Sequence, residues 1–290
     1  MTTEIENKVY KRQDYLASKP TWCPGCGDFA VLTALTAAYE HFQLDPDQIG
    51  LVSGIGCSSR FPFFTKTYGF HSIHGRALPV AIGLKTVKPE LTVTTVGGDG
   101  DGFSIGGNHF VHAARKNPNI TYIVMDNEIY ALTKGQNSPT SHMDLTTKIN
   151  PYESVEERIN PVLLALSCDT SFIARGFSGD LKQMKELIIQ GMEHEGFSFI
   201  HILSPCVQYN HKVTYESLKE RIRPLPENHD TTDKLAGMKL AFDPEYLYTG
   251  LFYKVNKPTF TEKLDSVQQK AIDKNGGNMA TYEDLMKQFS

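Results

Sequence analysis

The chain has 290 residues, of which 40% are hydrophobic and 21% are charged. This composition is typical of a globular protein with a large buried core, and it excludes a fibrous or disordered chain. The 29 basic and 33 acidic residues leave a net charge of −4, so no excess of positive charge points to a nucleic acid or an anionic membrane as a partner.

The first 20 residues are charged throughout and lack the apolar stretch of a signal peptide. No later apolar run has the length of a membrane span, and we therefore expect a cytoplasmic chain without membrane contacts. Five cysteines are too few and too scattered for a disulfide framework in a chain of this size. Their presence favours metal binding or redox chemistry.

Helical and strand patterns alternate from residue 28 onward. Apolar residues at helical spacing predict a first helix with Asp28 as its N-cap, and β-branched runs predict strands. The predicted helices cover 28–42, 76–89, 104–117 and 180–196, and the predicted strands cover 49–53, 91–98, 120–127, 170–177 and 197–204. Residues 54–75 are left as a long loop. This alternation predicts an α/β fold with an open, mostly parallel sheet and helices on both faces.

The sequence changes character after Pro205. Residues 206–290 are polar, and their only helical pattern is TYEDLMKQF at 281–289. We divide the chain into an N-terminal arm (1–20), an α/β domain (21–209) and a C-terminal extension (210–290) that wraps the domain or a partner.

The segment VGGDGDGFSIGGNHF (96–110) follows a predicted strand and opens a helix. Such positions in a parallel sheet bind anions, but the carboxylates of Asp99 and Asp101 would repel a bare diphosphate. A Mg²⁺ ion between carboxylates and phosphates removes this conflict. Asn127, 28 residues after Asp99 at the end of the next strand, supplies a second oxygen ligand. The alternative is a glycine-rich turn with a capping Asn.

The segment TWCPGCGDF (21–29) places Cys23 and Cys26 two residues apart. A redox dithiol at a helix N-terminus would leave Cys57 and Cys206 unexplained. A zinc site needs a second close pair of ligands, which the sequence lacks. An iron–sulfur cluster uses four thiolates, two of which can come from distant loops.

Six motifs in order carry a family resemblance: WCPGCGDF, SGIGCSSR, HSIHGRALP, GGDGDGFSIGGNHF, MDNEIYALTKGQNSPT and a late SPC. Over about residues 20–210 the chain resembles the β subunit of the 2-oxoacid:ferredoxin oxidoreductases. The resemblance implies CoA-dependent oxidative decarboxylation of a 2-oxoacid, reversible and with 2-oxoglutarate favoured. Electrons would pass through a 4Fe–4S cluster to ferredoxin. A pyruvate- or indolepyruvate-specific member and a non-catalytic, metal-stabilised interaction subunit are the alternatives.

The resemblance also implies cofactor sites. Thiamine diphosphate would contact Ile55, Gly56, Cys57, Ser58, His74, Gly100, Asp101, Ala131 and Leu132. His74 is the catalytic candidate, as a hydrogen-bond donor or proton carrier. For Asp101 the alternative is turn capping. Mg²⁺ on the diphosphate would be bound by Asp99, Asn127 and the carbonyl of Ile129.

The implied cluster ligands are Cys23, Cys26, Cys57 and Cys206. Cys168 is left over, and we expect it in the core. Arg60 and Lys134 are candidates for binding the substrate carboxylate or the phosphates of CoA, with solvated surface charge as an equal alternative.

The resemblance further implies a partner. Thiamine enzymes need a glutamate on a pyrimidine-binding domain, and this chain has room for only the diphosphate-binding domain. We expect an α subunit to carry the glutamate and the isolated chain to be inactive. His71 and His109 are expected to be structural, and the aromatic residues of FPFFTKTYGF (61–70) are expected to belong to the core.

Overall fold

The computed structural model of the chain describes residues 8–274, 276–279 and 281–287. Its strands are β1 (Ile49–Ser53), β2 (Tyr68–His71), β3 (Thr92–Gly98), β4 (Ile120–Asp126), β5 (Phe172–Phe177), β6 (Phe197–Leu203), β7 (Ile222–Pro224) and β8 (Leu247–Lys254). Within the described residues they form one sheet in the order β2-β1-β3-β4-β6-β5-β8-β7. Every pair is parallel except β5 with β8.

The helices are α1 (Asp28–His41), α2 (Ala77–Val87), α3 (Asp99–Phe103), α4 (Gly107–Lys116), α5 (Pro161–Ser167), α6 (Leu181–Glu193), α7 (Tyr215–Arg221), α8 (Lys234–Ala241), α9 (Phe260–Lys274) and α10 (Tyr282–Met286). Short 3₁₀ helices cover Arg12–Tyr15, Pro46–Gln48 and Ser58–Phe63. In the parts of the chain that the structure describes, no helix is long and apolar enough to cross a bilayer.

Two hydrophobic cores lie between the sheet and its helices. Successive residues of a strand point to opposite faces. Ile123 of β4 therefore packs in the core with α1 and α6, whereas Val124 packs in the core with α2, α4, α5 and α8. The predicted mostly parallel sheet with helices on both faces is confirmed.

Several predicted boundaries and caps are wrong. Gly27, not Asp28, is the N-cap of α1, because Asp28 is already the first residue of the helix. The predicted helix 104–117 begins only at Gly107, since the chain first forms the short helix α3 directly after β3. The unpredicted helix α5 is capped by Asn160, whose side chain accepts the Val162 and Leu163 N–H groups.

The predicted loop 54–75 contains regular structure. It forms a 3₁₀ helix and strand β2, which pairs with β1 at the edge of the sheet. The core assignment of its aromatic residues is partly wrong: Phe61 and Phe64 are buried, but Phe63, Tyr68 and Phe70 are 54%, 61% and 54% exposed. Tyr68 and Phe70 are two residues apart on β2 and therefore point to the same face of this edge strand, which the described residues leave largely uncovered.

The C-terminal segment is more regular than predicted. Besides the late helix, it forms α7, α8, α9 and two strands, and β8 pairs antiparallel with β5 of the main sheet. The prediction of one helical pattern after residue 206 is therefore wrong. Residues 288–289 of the predicted helix, and residues 1–7 of the predicted arm, lie outside the described residues.

Candidate active site

The carboxyl ends of β1, β3 and β4 meet around a cavity of about 60 Å³, which we call the Asp99 cavity. It is lined by Ile55, Gly56, Cys57, Ser58, His74, Gly98, Asp99, Gly100, Asp101, Asn127, Ile129, Tyr130, Ala131, Leu132 and Thr133. All residues predicted to contact the diphosphate cofactor or its cation are in this set. The sequence analysis missed Gly98, Tyr130 and Thr133.

Asp99 is buried at the start of α3. Its Oδ2 accepts a hydrogen bond from Thr140 Oγ1 at 2.8 Å, and its Oδ1 lies 3.4 Å from the Asn127 N–H. Among the described residues no Lys or Arg lies within ion-pair distance of this carboxylate. Burial raises the pKa of Asp99 to about 7, and the nearby charge of Asp126 adds to this. A buried carboxylate without a cationic partner fits a site for a bound cation.

The other predicted cation ligands adjoin Asp99. Asn127 and Ile129 line the same cavity, and Asn127 Oδ1 accepts the Ile129 N–H at 3.1 Å. One carboxylate, one amide and one backbone carbonyl match the oxygen preference of Mg²⁺. Within the described ranges, no three His, Cys, Asp or Glu side chains are placed to bind one metal ion. A Mg²⁺ site here therefore depends on the amide and carbonyl oxygens and on phosphate.

Asp101 joins two loops of the cavity. Its Oδ1 accepts the N–H groups of both Ile55 and Gly75 at 2.8 Å. Burial raises the pKa of Asp101, although these two hydrogen bonds oppose the shift. In the structure, Asp101 holds the loop that carries Ser58 beside the loop that carries His74.

His74 lies on the rim of the cavity near Tyr130, with 6.1 Å between the ring centroids. The Tyr130 hydroxyl donates to the carbonyl of Gly100 at 3.3 Å, which fixes the tyrosine against the α3 turn. His71, by contrast, has its Nδ1 within 3.0 Å of Ser53 Oγ and 2.9 Å of the Ser59 carbonyl. These contacts agree with a structural role for His71.

A buried polar network lies behind Asp99. Asp126 Oδ2 accepts from His201 Nε2 at 2.8 Å, and the other ring nitrogen of His201 accepts from Arg175 Nε at 3.2 Å. Burial alone would raise the pKa of Asp126, but the hydrogen bond and charge of His201 lower it overall. Thr140 Oγ1 lies 2.8 Å from Asp126 Oδ1 and links this network to Asp99.

The sequence analysis missed this network. A signal was present, because Arg175 and His201 interrupt the otherwise apolar strands β5 and β6, which are buried along their whole length. A charged residue in a fully buried strand needs a partner.

A second cavity of about 190 Å³ adjoins the first, and we call it the cysteine cavity. Its lining includes Cys23, Cys26, Cys57 and Cys206, together with Trp22, Asp28, Arg60 and Ser204. The Trp22 Nε1–H donates to the carbonyl of Cys57 at 2.7 Å, which anchors the loop of that cysteine. Four free thiols around one cavity, rather than around one point, match the donor set of an iron–sulfur cluster.

The electrostatics of the cysteine cavity argue against a reactive dithiol. Burial raises the pKa of Cys57 to about 11, and burial raises the pKa of Cys26 further still. Burial also raises the pKa of Asp28 to about 7, against the opposing effect of Arg60. Without added positive charge the thiols of Cys26 and Cys57 stay protonated, and bound iron would supply that charge.

The remaining predicted residues lie in different places. Arg60 lines the cysteine cavity, where its guanidinium donates to Thr21 Oγ1. Lys134 lines neither cavity and has a left-handed φ of 76° in the turn after Leu132. Cys168 is half-buried and packs at the margin of the core that contains α5, so its core assignment is only partly confirmed. The two cavities share Cys57, Asn127, Ala131 and Leu132.

Comparison with known proteins agrees with this arrangement. Residues 54–202 match the model of the thiamine pyrophosphate enzyme C-terminal TPP-binding domain. Together with the fold, this match defines the chain as a protein of the thiamine pyrophosphate enzyme class. Residues 206–269 match the model of the C-terminal region of the pyruvate ferredoxin oxidoreductase beta subunit.

Relatives that align over most of both chains narrow this class to one family of enzyme subunits. The 2-oxoacid:ferredoxin oxidoreductase 2 beta subunit of Aeropyrum pernix is 38% identical over 89% of this chain and 86% of the relative. The 2-oxoglutarate synthase subunit KorB of Methanocaldococcus jannaschii is 33% identical over 90% of this chain and 96% of the relative. The chain therefore belongs to the family of 2-oxoacid:ferredoxin oxidoreductase β subunits.

A solved structure has the same fold. It is the 2-oxoglutarate:ferredoxin oxidoreductase from Magnetococcus marinus with 2-oxoglutarate, coenzyme A and succinyl-CoA bound. One of its chains is 41% identical, with a TM-score of 0.91 over 99% of this chain and 98% of that chain.

Proposed function

We propose that this chain, with an α subunit, oxidises 2-oxoglutarate in the presence of CoA to succinyl-CoA and CO₂, and passes two electrons to ferredoxin. We extend the proposal to the reverse reaction, because ferredoxins are electron carriers of low reduction potential. The observation that carries the proposal is that the Asp99 cavity and the cysteine cavity share Cys57. A cofactor in the first cavity and a cluster in the second would then be adjacent.

The Asp99 cavity is proposed to bind the diphosphate of thiamine diphosphate. Asp99, Asn127 and the Ile129 carbonyl would hold Mg²⁺ between the protein and the phosphates. When bound, thiamine diphosphate supplies the carbanion that attacks the 2-oxo carbon and accepts the electron pair left by CO₂. Ser58 and the glycines of the cavity wall would allow the backbone to approach the phosphates, and His74 would hold a hydrogen bond or a proton at the substrate.

The cysteine cavity is proposed to bind a 4Fe–4S cluster through Cys23, Cys26, Cys57 and Cys206. Arg60 lines this cavity, so its cationic charge would lie near the cluster as well as near any anionic substrate that enters. Lys134 is exposed beside the Asp99 cavity and remains a candidate for binding CoA phosphates.

An α subunit is proposed to complete the site. Ligand pockets commonly enclose about 300 to 1,000 Å³, and the Asp99 cavity, at about 60 Å³, is too small to enclose a whole thiamine diphosphate. Large apolar side chains around it and along β2 are exposed: Phe63, Tyr68, Phe70, Ile73 and Ile105. An exposed apolar surface of this kind is typical of a protein interface.

The substrate assignment rests on relatives. The similar chain from Methanocaldococcus jannaschii is named as a 2-oxoglutarate synthase subunit, and the similar solved structure contains 2-oxoglutarate and succinyl-CoA. We extend this substrate to the present protein; a pyruvate- or indolepyruvate-specific enzyme is the alternative.

The cofactor content of the assembled protein tests the proposal. The chain would be co-expressed with its α subunit and purified anaerobically, and iron, sulfide and bound thiamine diphosphate would be measured. We expect equal amounts of iron and sulfide, broad absorption near 400 nm and bound thiamine diphosphate. A folded complex without iron, or without affinity for thiamine diphosphate in the presence of Mg²⁺, would overturn the proposal.

A further inference from the structure

A turn that is distant from Asp99 in the sequence contacts the residues of the proposed magnesium site. The residues of this turn, Ser138–Ser141, lie between β4 and α5, and the side chains of Ser138, Thr140 and Ser141 are all buried. The Ser138 N–H donates to Ser141 Oγ at 2.8 Å, and the Ser141 N–H donates to the Ser138 carbonyl at 3.1 Å. The turn is therefore closed on itself and presents Thr140 to the interior.

Thr140 contacts the carboxylate that is proposed to bind the cation. Its hydroxyl oxygen lies 2.8 Å from Asp99 Oδ2 and 2.8 Å from Asp126 Oδ1. Asp126 already accepts hydrogen bonds from His201 Nε2 and from the Glu128 N–H. Besides its bond from Thr140, Asp99 has the long contact with the Asn127 N–H and a hydrogen bond from the side chain of Ser138, which belongs to the same turn. The orientation of the Asp99 carboxylate therefore depends on the Ser138–Ser141 turn, in which Thr140 makes the 2.8 Å bond.

Ser141 contacts the other half of the same site. Its hydroxyl donates to the carbonyl of Glu128 at 2.5 Å. Glu128 has a left-handed φ of 56°, which is unfavourable for a side chain of this kind, and it lies between Asn127 and Ile129. The Glu128 carbonyl and the Ile129 N–H belong to one peptide unit, and that N–H donates to Asn127 Oδ1 at 3.1 Å. The bond from Ser141 therefore holds the peptide unit that orients the Asn127 side chain and directly precedes the Ile129 carbonyl.

We propose that the Ser138–Ser141 turn positions the magnesium ligands, with Thr140 orienting Asp99 and Ser141 orienting the loop from Asn127 to Ile129. Both are positioning residues, because each acts through residues that are proposed to bind the cation. The inference rests on the proposed binding of thiamine diphosphate and Mg²⁺. Loss of a hydrogen bond that orients a metal ligand commonly lowers metal affinity by about 10- to 100-fold.

The test measures metal affinity in the complex with the α subunit. Mn²⁺ would be titrated in the presence of saturating thiamine diphosphate, and free Mn²⁺ would be followed by electron paramagnetic resonance. We expect Thr140→Val to raise the Mn²⁺ dissociation constant about 10- to 100-fold. Thr140→Ser keeps the hydroxyl and is expected to keep the affinity within about threefold of the wild type, which a role in packing alone would not predict.

Thr121→Val is the matched control. Thr121 is also buried, and its hydroxyl bonds the Gly191 carbonyl at 3.1 Å near the opposite end of β4. We expect its Mn²⁺ affinity to be that of the wild type. If Thr140→Val does not assemble, Ser141→Ala gives a second test. It keeps the Thr140 hydroxyl but removes the bonds of the Ser141 hydroxyl to the Glu128 carbonyl and the Ser138 N–H, and it is expected to weaken Mn²⁺ binding.

The outcomes separate the two proposals. Equal Mn²⁺ affinity in Thr140→Val and wild type, or in Ser141→Ala and wild type if the first variant does not assemble, would overturn the positioning role alone. A wild-type complex that binds no Mn²⁺ with thiamine diphosphate would overturn the proposed function instead.

Discussion

Asp101 holds two loops of the Asp99 cavity together through a single oxygen atom. Its Oδ1 accepts the Ile55 and Gly75 N–H groups at 2.8 Å each. The close approach requires glycine at position 54, because a Cβ there would lie 2.0 Å from Asp101 Oδ2. The geometry of the cavity wall therefore depends on a carboxylate that faces the backbone as well as the cavity.

Asp101→Ala tests this role. The substitution leaves two N–H groups without their acceptor, and we expect the free energy of unfolding to fall by about 3 kcal/mol. Asp101→Asn keeps an Oδ1 acceptor and should stay within about 1 kcal/mol of the wild type. Denaturant unfolding of the two variants measures the difference. Equal destabilisation by both would show that the charge, rather than the acceptor oxygen, holds the loops.

The five cysteines offer a matched comparison. Cys57→Ala removes a proposed cluster ligand, whereas Cys168→Ala removes a half-buried thiol that packs against a different core. We expect Cys57→Ala to lose most iron and the absorption near 400 nm in anaerobic preparations. Cys168→Ala should retain both. A full iron content in Cys57→Ala would remove Cys57 from the ligand set and leave the two cavities without their proposed link.

For individual residues, the sequence predicts a functional role where the residues form a recognisable local motif. The Gly-Asp segment and the Cys-x-x-Cys pair are recognisable without a structure, and their side chains do line the two cavities. Thr140, His201 and Arg175 are not predictable in this way. Their contacts join three separated segments across the sheet, and no local pattern encodes a pairing of that kind.

Strand β2 is an edge strand with exposed aromatic residues. Tyr68 and Phe70 lie on the same face of this strand and are exposed. Phe63 lies beside the strand and packs against His71, with 4.8 Å between the ring centroids. Exposed edges with apolar side chains favour association with another chain. This surface continues through Ile73 to His74 at the Asp99 cavity.

Phe70→Asp tests whether this surface binds the α subunit. A charge in an apolar contact is expected to weaken association at least about tenfold. Phe242→Asp is the control, because Phe242 is 70% exposed and follows α8, near the opposite edge of the sheet. Association would be measured by analytical ultracentrifugation. Equal affinities for Phe70→Asp and the wild type would place the α subunit elsewhere.

Strand β8 brings the C-terminal segment into the sheet. It pairs with β5, and its Phe252 and Tyr253 are buried in the core that contains α5. The sequence LYTGLFYK hides this strand, because a glycine interrupts the apolar pattern and lysine ends it. Pairing with an existing strand, rather than local propensity, makes it a strand.

Two truncations separate the roles of the C-terminal elements. Deleting residues 210–290 exposes the edge of β5 and removes the buried side chains of β8, so we expect an insoluble or unfolded chain. Deleting residues 261–290 removes most of α9, which has no buried residues, and should leave the unfolding transition close to that of the full chain. A stable, monomeric 1–209 chain would contradict this assignment.

The whole molecule is organised by one edge of its sheet. The parallel strands β1, β3, β4 and β6 end together, and the residues that follow them line the two cavities. The alternation of helices and strands made this general arrangement predictable. The sharing of Cys57 and Asn127 between the cavities was not, because it depends on how the loops fold over the sheet.

The shared wall is the basis of the central claim. In the proposed function, a 2-oxoacid is oxidised in the Asp99 cavity and the electrons leave through the cysteine cavity, and the shared residues support the proposal that the two are parts of one reaction. The small volume of the Asp99 cavity supports the further proposal that this reaction needs an α subunit.

Ferredoxin reduction by the anaerobic complex tests this claim most directly. Reduction would be followed spectroscopically with 2-oxoglutarate, pyruvate and indolepyruvate, with and without CoA. We predict that 2-oxoglutarate gives the fastest reduction, that reduction requires CoA, and that this chain alone shows none. Two results would contradict the account: a complex that contains both cofactors but fails to reduce ferredoxin with any of the three 2-oxoacids, or turnover by this chain without the α subunit.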